Sequence, residues 1–297
     1  MKRRLVCGTC TYRQQSLERA LEGIARSEFM AVEISAISGY CEHVEPERMS
    51  AGDMDRLAKL VESFGLVITS IAGHIDLLWP LMGKRSDVPQ YPDLPEGVDV
   101  AHEGFLRLRN RVDMASHLGV PIVNTGIGVT SDQREIERFY REFDALLAYA
   151  EKRGVKIGLE SHAGMTETAA ATLALCRRLG RPNVGLNYDT ANVRFYTGID
   201  PVADLESCDE AELRQRLFHV HIKDHRGGKY NWDFPPLGEG EVNFRRLVEL
   251  FDRIGYTGPC SLEIQFYGPG TTDPTAEIID AGIVASYRFM REVGLGE

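Results

Sequence analysis

Four short runs in the second half of the 297-residue chain carry the side chains best suited to chemistry. Each run begins as an apolar, β-branched stretch typical of a strand. The runs end on Glu160, Asp189, His221 and Glu263. Carboxylate and imidazole groups at four separate strand ends indicate a shared divalent cation. Three oxygens and one nitrogen, without a thiolate, favour Mn²⁺, with Mg²⁺, Co²⁺ and Zn²⁺ as alternatives.

The elements that must position these residues alternate between strand and helix. The four runs supply strands five to eight, and earlier strands are predicted at residues 4–10, 31–35, 66–72 and 120–126. Helices are predicted at about 16–25, 53–64, 103–117, 133–152, 168–179, 210–217, 244–254 and 276–293. Eight βα units in about 250 residues or somewhat more are typical of a (β/α)₈ TIM barrel. A doubly wound sheet is less favoured, because no Gly-x-Gly-x-x-Gly turn follows a strand.

The barrel prediction and the chemistry agree. In a TIM barrel the C-terminal strand ends meet at one mouth, where active sites lie, and all four candidate ligands are at such ends. We therefore predict one α/β domain over residues 1–297. A proline-rich irregular stretch at about 73–99 is either a functional lid or a packed surface insertion.

Composition limits the classes of function. Hydrophobic residues make up 43% of the chain, enough for a full core, and no apolar run is long enough for a membrane span. The net charge of −10 argues against nucleic-acid binding. The basic start, Met1 to Arg4, is not followed by an export core, so we expect a cytoplasmic location with the six cysteines reduced. A homo-oligomer is left open.

The motifs also carry a resemblance to a known family. They are Glu160-Ser161-His162, Asp189-Thr190, His219-Val220-His221-Ile222-Lys223-Asp224, Gly238-Glu239-Gly240 and Leu262-Glu263. With them the chain resembles the xylose isomerase-like barrel superfamily, especially its sugar isomerase and epimerase branch. The resemblance implies a small carbohydrate substrate and a single divalent metal on the four residues named above. It also implies that Glu160 and Glu263 are the acid and base on opposite faces of the substrate carbon.

Two positions depart from the pattern of the ketose 3-epimerases. Those enzymes carry a histidine three residues after the metal aspartate, where this chain has Asn192. They carry an arginine six residues after the ligand histidine, where this chain has Gly227, with Arg226 one position earlier. Both positions touch substrate in the family, so the substrate and the reaction type are open. Asn192 can hydrogen-bond a hydroxyl group but cannot titrate near neutral pH.

Further side chains are candidates for substrate contact. His162 is either a second acid/base, which suits a dehydratase, or an orienting residue behind the site. Lys223 either steadies an oxyanion or phosphate or pairs with a carboxylate. His74 could reach substrate, although a capped loop histidine is favoured, and His219 is predicted to be packed behind His221. Trp232, in the aromatic stretch at 229–240, is predicted to wall the mouth against water.

The sequence therefore predicts a divalent-metal-dependent isomerase or epimerase of a ketose or keto-polyol. The main alternative is a metal-dependent dehydratase of a keto-sugar or keto-inositol. A sugar-binding barrel without catalysis is a third hypothesis. An apurinic endonuclease-like hydrolase is disfavoured, because the histidines of its three-zinc cluster are replaced by Asn192 and by Pro235 in the run Asp233-Phe234-Pro235.

Overall fold

Eight parallel strands close into a ring in the computed structural model, which describes residues 3–75, 77–78, 100–266 and 274–296. The strands are β1 (Arg4–Gly8), β2 (Ala31–Ile37), β3 (Cys41–Glu42), β4 (Val67–Ala72), β5 (Ile122–Thr125), β6 (Lys156–Glu160), β7 (Val184–Asp189), β8 (Leu217–Ile222) and β9 (Pro259–Leu262). Only β3 lies outside the ring, as a short antiparallel partner of β2. The ring closes because β1 pairs with both β2 and β9. The TIM-barrel prediction is confirmed.

Helices surround this ring and follow the predicted periodicity. The described ranges contain α1 (Leu17–Arg26), α2 (Ala51–Ser63), α3 (Val100–His117), α4 (Gln133–Glu151), α5 (Ala169–Leu179), α6 (Thr190–Thr197), α7 (Pro201–Glu206), α8 (Glu210–Arg216), α9 (Phe244–Ile254) and α10 (Ala276–Glu292). Ser16 caps α1 by accepting the Arg19 N–H at 3.2 Å. Among the helices that the structure describes, none is long and apolar enough to cross a membrane.

Three local features were not predicted. The first strand ends at Gly8, since residues 9–12 wind into a 3₁₀ turn that carries Cys10. Helices α6 and α7 follow β7 directly, where no helix was predicted between β7 and α8. The Asp189 side chain starts α6 by accepting the N–H groups of Ala191 and Asn192 at 2.9 and 2.7 Å.

All six cysteines are free thiols. The stretch at about 73–99, predicted to be a lid or a packed insertion, lies almost entirely outside the described residues.

The layer between the barrel helices depends on large aromatic side chains, which gives a first prediction. Phe143 is 0% exposed and stacks on Phe139 with ring centroids 5.0 Å apart. Phe143→Ala is expected to lower the free energy of unfolding by about 3–5 kcal/mol, because it removes apolar contacts and leaves a cavity. Urea unfolding followed by circular dichroism measures this loss. Ile278→Ala, at a side chain that is 53% exposed, is the control and should change stability by less than about 0.5 kcal/mol. Similar losses in both variants would contradict the packing described here.

Candidate metal centre and active site

The four predicted ligands lie together at the C-terminal mouth of the barrel. Glu160 and Asp189 end β6 and β7, His221 is the penultimate residue of β8, and Glu263 follows β9 directly. One ligand atom from each side chain lies within 4.8 Å of all the others. His221 Nδ1 faces all three carboxylates, at 3.4 Å from Glu160 Oε1, 3.7 Å from Glu263 Oε2 and 4.0 Å from Asp189 Oδ2. The arrangement follows from parallel strands whose last inward side chains are polar.

One oxygen in this group makes no hydrogen bond. Asp189 Oδ1 caps α6, but Asp189 Oδ2 is buried without a hydrogen-bond partner, and the Lys223 ammonium is 3.8 Å away. A buried acceptor left unpaired costs about 1–3 kcal/mol. A divalent cation among the four side chains would bind that oxygen, and three carboxylates with one imidazole are donors that such cations accept. The residues present therefore fit a metal ion.

Burial and neighbouring charges shift the pKa values of Asp189, Glu160 and His221. Burial raises the pKa of Asp189 to about 7, with Lys223 acting against the rise and Glu263 adding to it. Burial would also raise the pKa of Glu160, but hydrogen bonds from His221 and His74 hold it well below its usual value. For His221, burial lowers the pKa, yet Glu33 and Glu160 outweigh burial and raise it well above the usual value. Neighbouring carboxylates therefore outweigh burial in setting the pKa of His221, whereas burial outweighs Lys223 in setting the pKa of Asp189.

Lys223 lies inside this acidic group. Its ammonium donates to Glu263 Oε1 at 2.8 Å and is 4.7 Å from the centre of the Phe234 ring. Burial disfavours the charged form of Lys223, but Glu263 and Asp189 outweigh it and raise the pKa of the amine. The predicted carboxylate pairing of Lys223 is therefore present, and because the side chain also lines the cavity, its contact with an oxyanion or phosphate stays a prediction.

Glu33 on β2 lies behind His221 and was missed by sequence reasoning. Its Oε2 accepts from His221 Nε2 and from Ser261 Oγ, both at 2.9 Å, and its Oε1 accepts from Asn124 Nδ2 at 2.7 Å. Burial would raise the pKa of Glu33, but His219 and His221 outweigh it and lower the pKa to about 2. The available signal was an acidic residue inside the apolar run at 31–34, since a buried carboxylate needs partners.

His219 is packed behind His221, as predicted. Its Nδ1 lies 2.8 Å from Asn187 Oδ1 and its Nε2 lies 3.1 Å from Ser70 Oγ. Burial lowers the pKa of His219 to about 4, although Glu33 acts in the opposite direction. The imidazole is therefore neutral and does not line the cavity.

A cavity of about 240 Å³ opens in front of the four ligands and contains most of the predicted substrate contacts. His74 donates through Nδ1 to Glu160 Oε2 at 3.1 Å, and Asn192 Nδ2 donates to Glu160 Oε1 at 3.2 Å. His162 Nε2 lies 2.9 Å from the hydroxyl group of Tyr196, a residue that sequence reasoning missed. Asn192 and Tyr196 are four residues apart on α6, so they share a helix face, and that spacing was the available signal.

Aromatic rings form one wall of the cavity. Trp232, predicted for this role, and Phe234 line it and contact each other with ring centroids 5.3 Å apart. Phe195 on α6 completes the wall, 5.5 Å from Phe234. Arg226 is not among the described cavity-lining residues: its side chain is 48% exposed, donates to the Glu239 carbonyl oxygen at 3.0 Å and pairs with Asp233. The structure places Arg226 in the loop rather than against the cavity.

Asp224 anchors the loop that carries this wall. Its carboxylate accepts the backbone N–H groups of His225, Gly238, Gly240 and Val242 at 2.9–3.1 Å. A Cβ on Gly240 would lie 2.2 Å from Asp224 Oδ1, so only glycine allows this close approach. The aromatic stretch at 229–240 is thereby folded back over the mouth.

Asp224→Asn is expected to destabilise this loop, because an amide NH₂ group would face backbone donors. The expected loss in the free energy of unfolding is about 3 kcal/mol, measured by urea denaturation. Asp55→Asn is a matched control, since Asp55 is exposed and pairs with the exposed His117 on the surface. It should lose less than about 1 kcal/mol. Equal losses in the two variants would show that the four N–H contacts contribute little.

Comparison with known proteins identifies the family of this barrel. The family model described as xylose isomerase-like TIM barrel matches residues 21–292. The chain belongs to this family. An uncharacterised protein of Methanocaldococcus jannaschii is 26% identical over 263 residues, 84% of this chain and 79% of the relative. L-ribulose-5-phosphate 3-epimerase UlaE of Shigella flexneri is 24% identical over 247 residues, 79% of this chain and 78% of the enzyme.

Solved structures share the fold of this family member. The structure of an L-ribulose 3-epimerase superposes with a TM-score of 0.71 at 20% identity, covering 99% of this chain and 94% of the other. The probable 3-DHS dehydratase AsbF of Bacillus anthracis superposes with a TM-score of 0.66 at 18% identity, covering 94% and 97%. The predicted family is confirmed, and its sequence relatives include sugar epimerases.

Proposed function

We propose that this family member is a metal-dependent isomerase or epimerase of a ketose or keto-polyol. Glu160, Asp189, His221 and Glu263 hold one divalent metal, with Mn²⁺ favoured, and Glu160 and Glu263 are the acid/base pair. The observation that carries the proposal is that the two carboxylate oxygens of each glutamate have different neighbours. One carboxylate oxygen faces His221 Nδ1, and the other faces a second basic group, His74 for Glu160 and Lys223 for Glu263.

The reaction is proton transfer at a carbon next to a carbonyl group. A bound divalent metal supplies Lewis-acid stabilisation of the negative charge that develops on the carbonyl oxygen, a contribution of several kcal/mol. A glutamate that ligates through one oxygen can use the other, here hydrogen-bonded to His74 or Lys223, to take or return a proton. Glu160 ends β6 and Glu263 directly follows β9, and β7 and β8 separate these strands in the ring, so the two carboxylates reach the cavity from different sides. Removal of a proton by one and return by the other inverts the carbon.

The remaining lining groups bind and orient the substrate. Asn192, His162 and Tyr196 present hydrogen-bonding groups on one side of the cavity. Trp232 and Phe234 present rings that exclude water and can pack on the C–H face of a sugar. The UlaE relative is named for a 3-epimerase activity on a ketose phosphate, which supports carbohydrate as the substrate class.

A metal-dependent dehydratase is the second candidate, and one contact favours it. The His162 imidazole is hydrogen-bonded to the Tyr196 hydroxyl, and its ring centroid is 5.1 Å from that of His74. A histidine so placed can protonate a leaving hydroxyl group after the proton next to the carbonyl has been removed. The fold shared with AsbF is compatible with this outcome. Epimerase and dehydratase share the first step and differ in the product.

The proposal is tested by NMR in D₂O on the Mn²⁺-loaded protein with a panel of ketoses, ketose phosphates and keto-inositols. Products are freed of metal before spectra are recorded. Deuterium next to the carbonyl, together with an epimer or aldose, is the expected result. Deuterium with loss of water would identify a dehydratase instead. Absence of exchange with every compound would contradict proton transfer and favour a binding role.

A further inference from the structure

The carboxylate of Glu33 lies on the far side of His221 from the candidate metal ligands. We infer that Glu33 is a positioning residue that fixes the tautomer and ring orientation of His221, so that Nδ1 is the metal-binding nitrogen. The inference rests on the proposed metal centre and extends it to a residue on β2 that touches neither the cavity nor the proposed metal. Four features of the contacts around Glu33 support this role.

The first is the direction of the hydrogen bond. Glu33 Oε2 lies 2.9 Å from His221 Nε2. An ionised carboxylate only accepts, so the hydrogen in this contact belongs to Nε2. In a neutral imidazole, Nδ1 then carries the lone pair, and Nδ1 is the nitrogen that faces Glu160 and Glu263 at 3.4 and 3.7 Å. Histidines that bind metals commonly donate their other N–H group to a carboxylate in this way.

The second is that Glu33 is itself held rigidly. It is 1% exposed, and besides His221 it accepts from Ser261 on β9 and Asn124 on β5. Its carboxylate therefore ties three other strands of the ring to β2. Gly158 on β6 leaves the room that Asn124 needs, because a Cβ there would lie 2.3 Å from Asn124 Oδ1. A carboxylate fixed from both oxygens can fix the imidazole in turn.

The third is that the ligand-type atoms around Glu33 are already engaged in hydrogen bonds and do not form a second metal site. Glu33, His219 and His221 also bring ligand-type atoms within 4.8 Å of one another, so they are a candidate for a second metal ion. Both ring nitrogens of His219, however, are engaged by Asn187 and Ser70. The Glu33 oxygens are engaged as well, and the group is buried. These side chains form a hydrogen-bonded support for one metal rather than a second site.

The fourth is that the two nitrogens of His221 have distinct surroundings. On the Nε2 side lies a single carboxylate with its other contacts satisfied, and on the Nδ1 side, 4.0 Å away, lies Asp189 Oδ2, which has no hydrogen-bond partner. A metal ion that bound Nε2 would have to displace the Glu33 contact. A metal ion that bound Nδ1 would gain Asp189 Oδ2 as a ligand. The Glu33 contact therefore directs the ion to the mouth of the barrel.

Mn²⁺ titration of the intact protein by isothermal calorimetry, with free Mn²⁺ checked by EPR, tests the inference. We expect one Mn²⁺ per chain and a dissociation constant about 10- to 100-fold higher in Glu33→Gln than in the unsubstituted protein. Glu135→Gln is the matched control, since Glu135 is equally buried at 2% exposure but pairs with Arg138 on α4. It should bind Mn²⁺ as the unsubstituted protein does. Equal affinity in Glu33→Gln, or two ions per chain, would overturn the inference while leaving the mouth site in place.

Absence of the proposed metal site would give a different result in the same titration. If the unsubstituted protein bound no Mn²⁺, both the proposed function and this inference would fall. A second measurement needs no substitution, and so does not depend on the folding of Glu33→Gln. In Zn²⁺-loaded, ¹⁵N-histidine-labelled protein, long-range ¹⁵N–¹H spectra should show His221 protonated at Nε2 and metal-bound at Nδ1. The opposite assignment would overturn the inference.

Discussion

Glu263→Gln is expected to lower the rate of deuterium exchange next to the substrate carbonyl by about a thousandfold or more at saturating Mn²⁺. Glutamine keeps the size of the side chain and a carbonyl oxygen for the metal, but it has no carboxylate to take a proton. The Lys223 ammonium, 2.8 Å from Glu263 Oε1, would also lose its nearest counter-charge. Single-turnover exchange monitored by NMR in D₂O measures the effect, with the metal content of each sample determined in parallel.

The metal measurement separates two causes of that loss. If Glu263→Gln binds Mn²⁺ but does not exchange, the missing function is proton transfer. If activity returns at high Mn²⁺, the residue acts chiefly as a ligand and another base must be sought. Glu249→Gln, at an exposed position on α9, is the control and should exchange at the original rate. Near-normal exchange in Glu263→Gln with normal metal content would remove Glu263 from the acid/base pair.

The positions of the candidate ligands were predictable because local signals mark them. Each candidate ligand terminates an apolar strand pattern, and a polar residue in that place is visible without knowledge of the rest of the chain. The barrel then brings Glu160 and Glu263 together, although 103 positions separate them in the sequence numbering. Helix α9, at Phe244–Ile254, matches its predicted range because Asn243 caps it and Gly255 ends it in the left-handed conformation.

The unpredicted parts depend on contacts between distant segments. Glu33 bonds to His221 across 188 positions, and nothing in the β2 run indicates which histidine it meets. Arg226 was predicted to touch substrate because an arginine nearby does so in the epimerases. Its guanidinium donates to the Glu239 carbonyl oxygen in the loop that Asp224 anchors, a contact that sequence spacing could not predict. Contact of Arg226 with substrate stays a prediction.

Removal of the metal is expected to abolish turnover and to lower thermal stability together. Loss of Lewis-acid stabilisation worth about 4 kcal/mol corresponds to a rate decrease of about a thousandfold. Mn²⁺ at a hundred times its dissociation constant should stabilise the folded protein by about 2.7 kcal/mol relative to the chelated form. Turnover and differential scanning fluorimetry, measured on the same chelated and reconstituted samples, test both effects. Chelation that changed neither quantity would contradict the metal centre.

Asp189→Asn distinguishes a metal effect from a general effect of the chelator. Asparagine retains the oxygen that caps α6 but replaces Asp189 Oδ2, which has no hydrogen-bond partner, with an uncharged amide nitrogen that cannot bind a cation. Because burial outweighs the attraction of Lys223 and raises the pKa of Asp189 to about 7, the buried carboxylate costs free energy, and the metal-free variant should be at least as stable as the metal-free unsubstituted protein. It should gain no stability from Mn²⁺ and show no metal-dependent turnover. A Mn²⁺-dependent rise in its melting temperature equal to that of the unsubstituted protein would place the ion elsewhere. We expect opposite effects on stability and activity for one reason: the buried carboxylate proposed to bind the metal destabilises the protein when no metal is present.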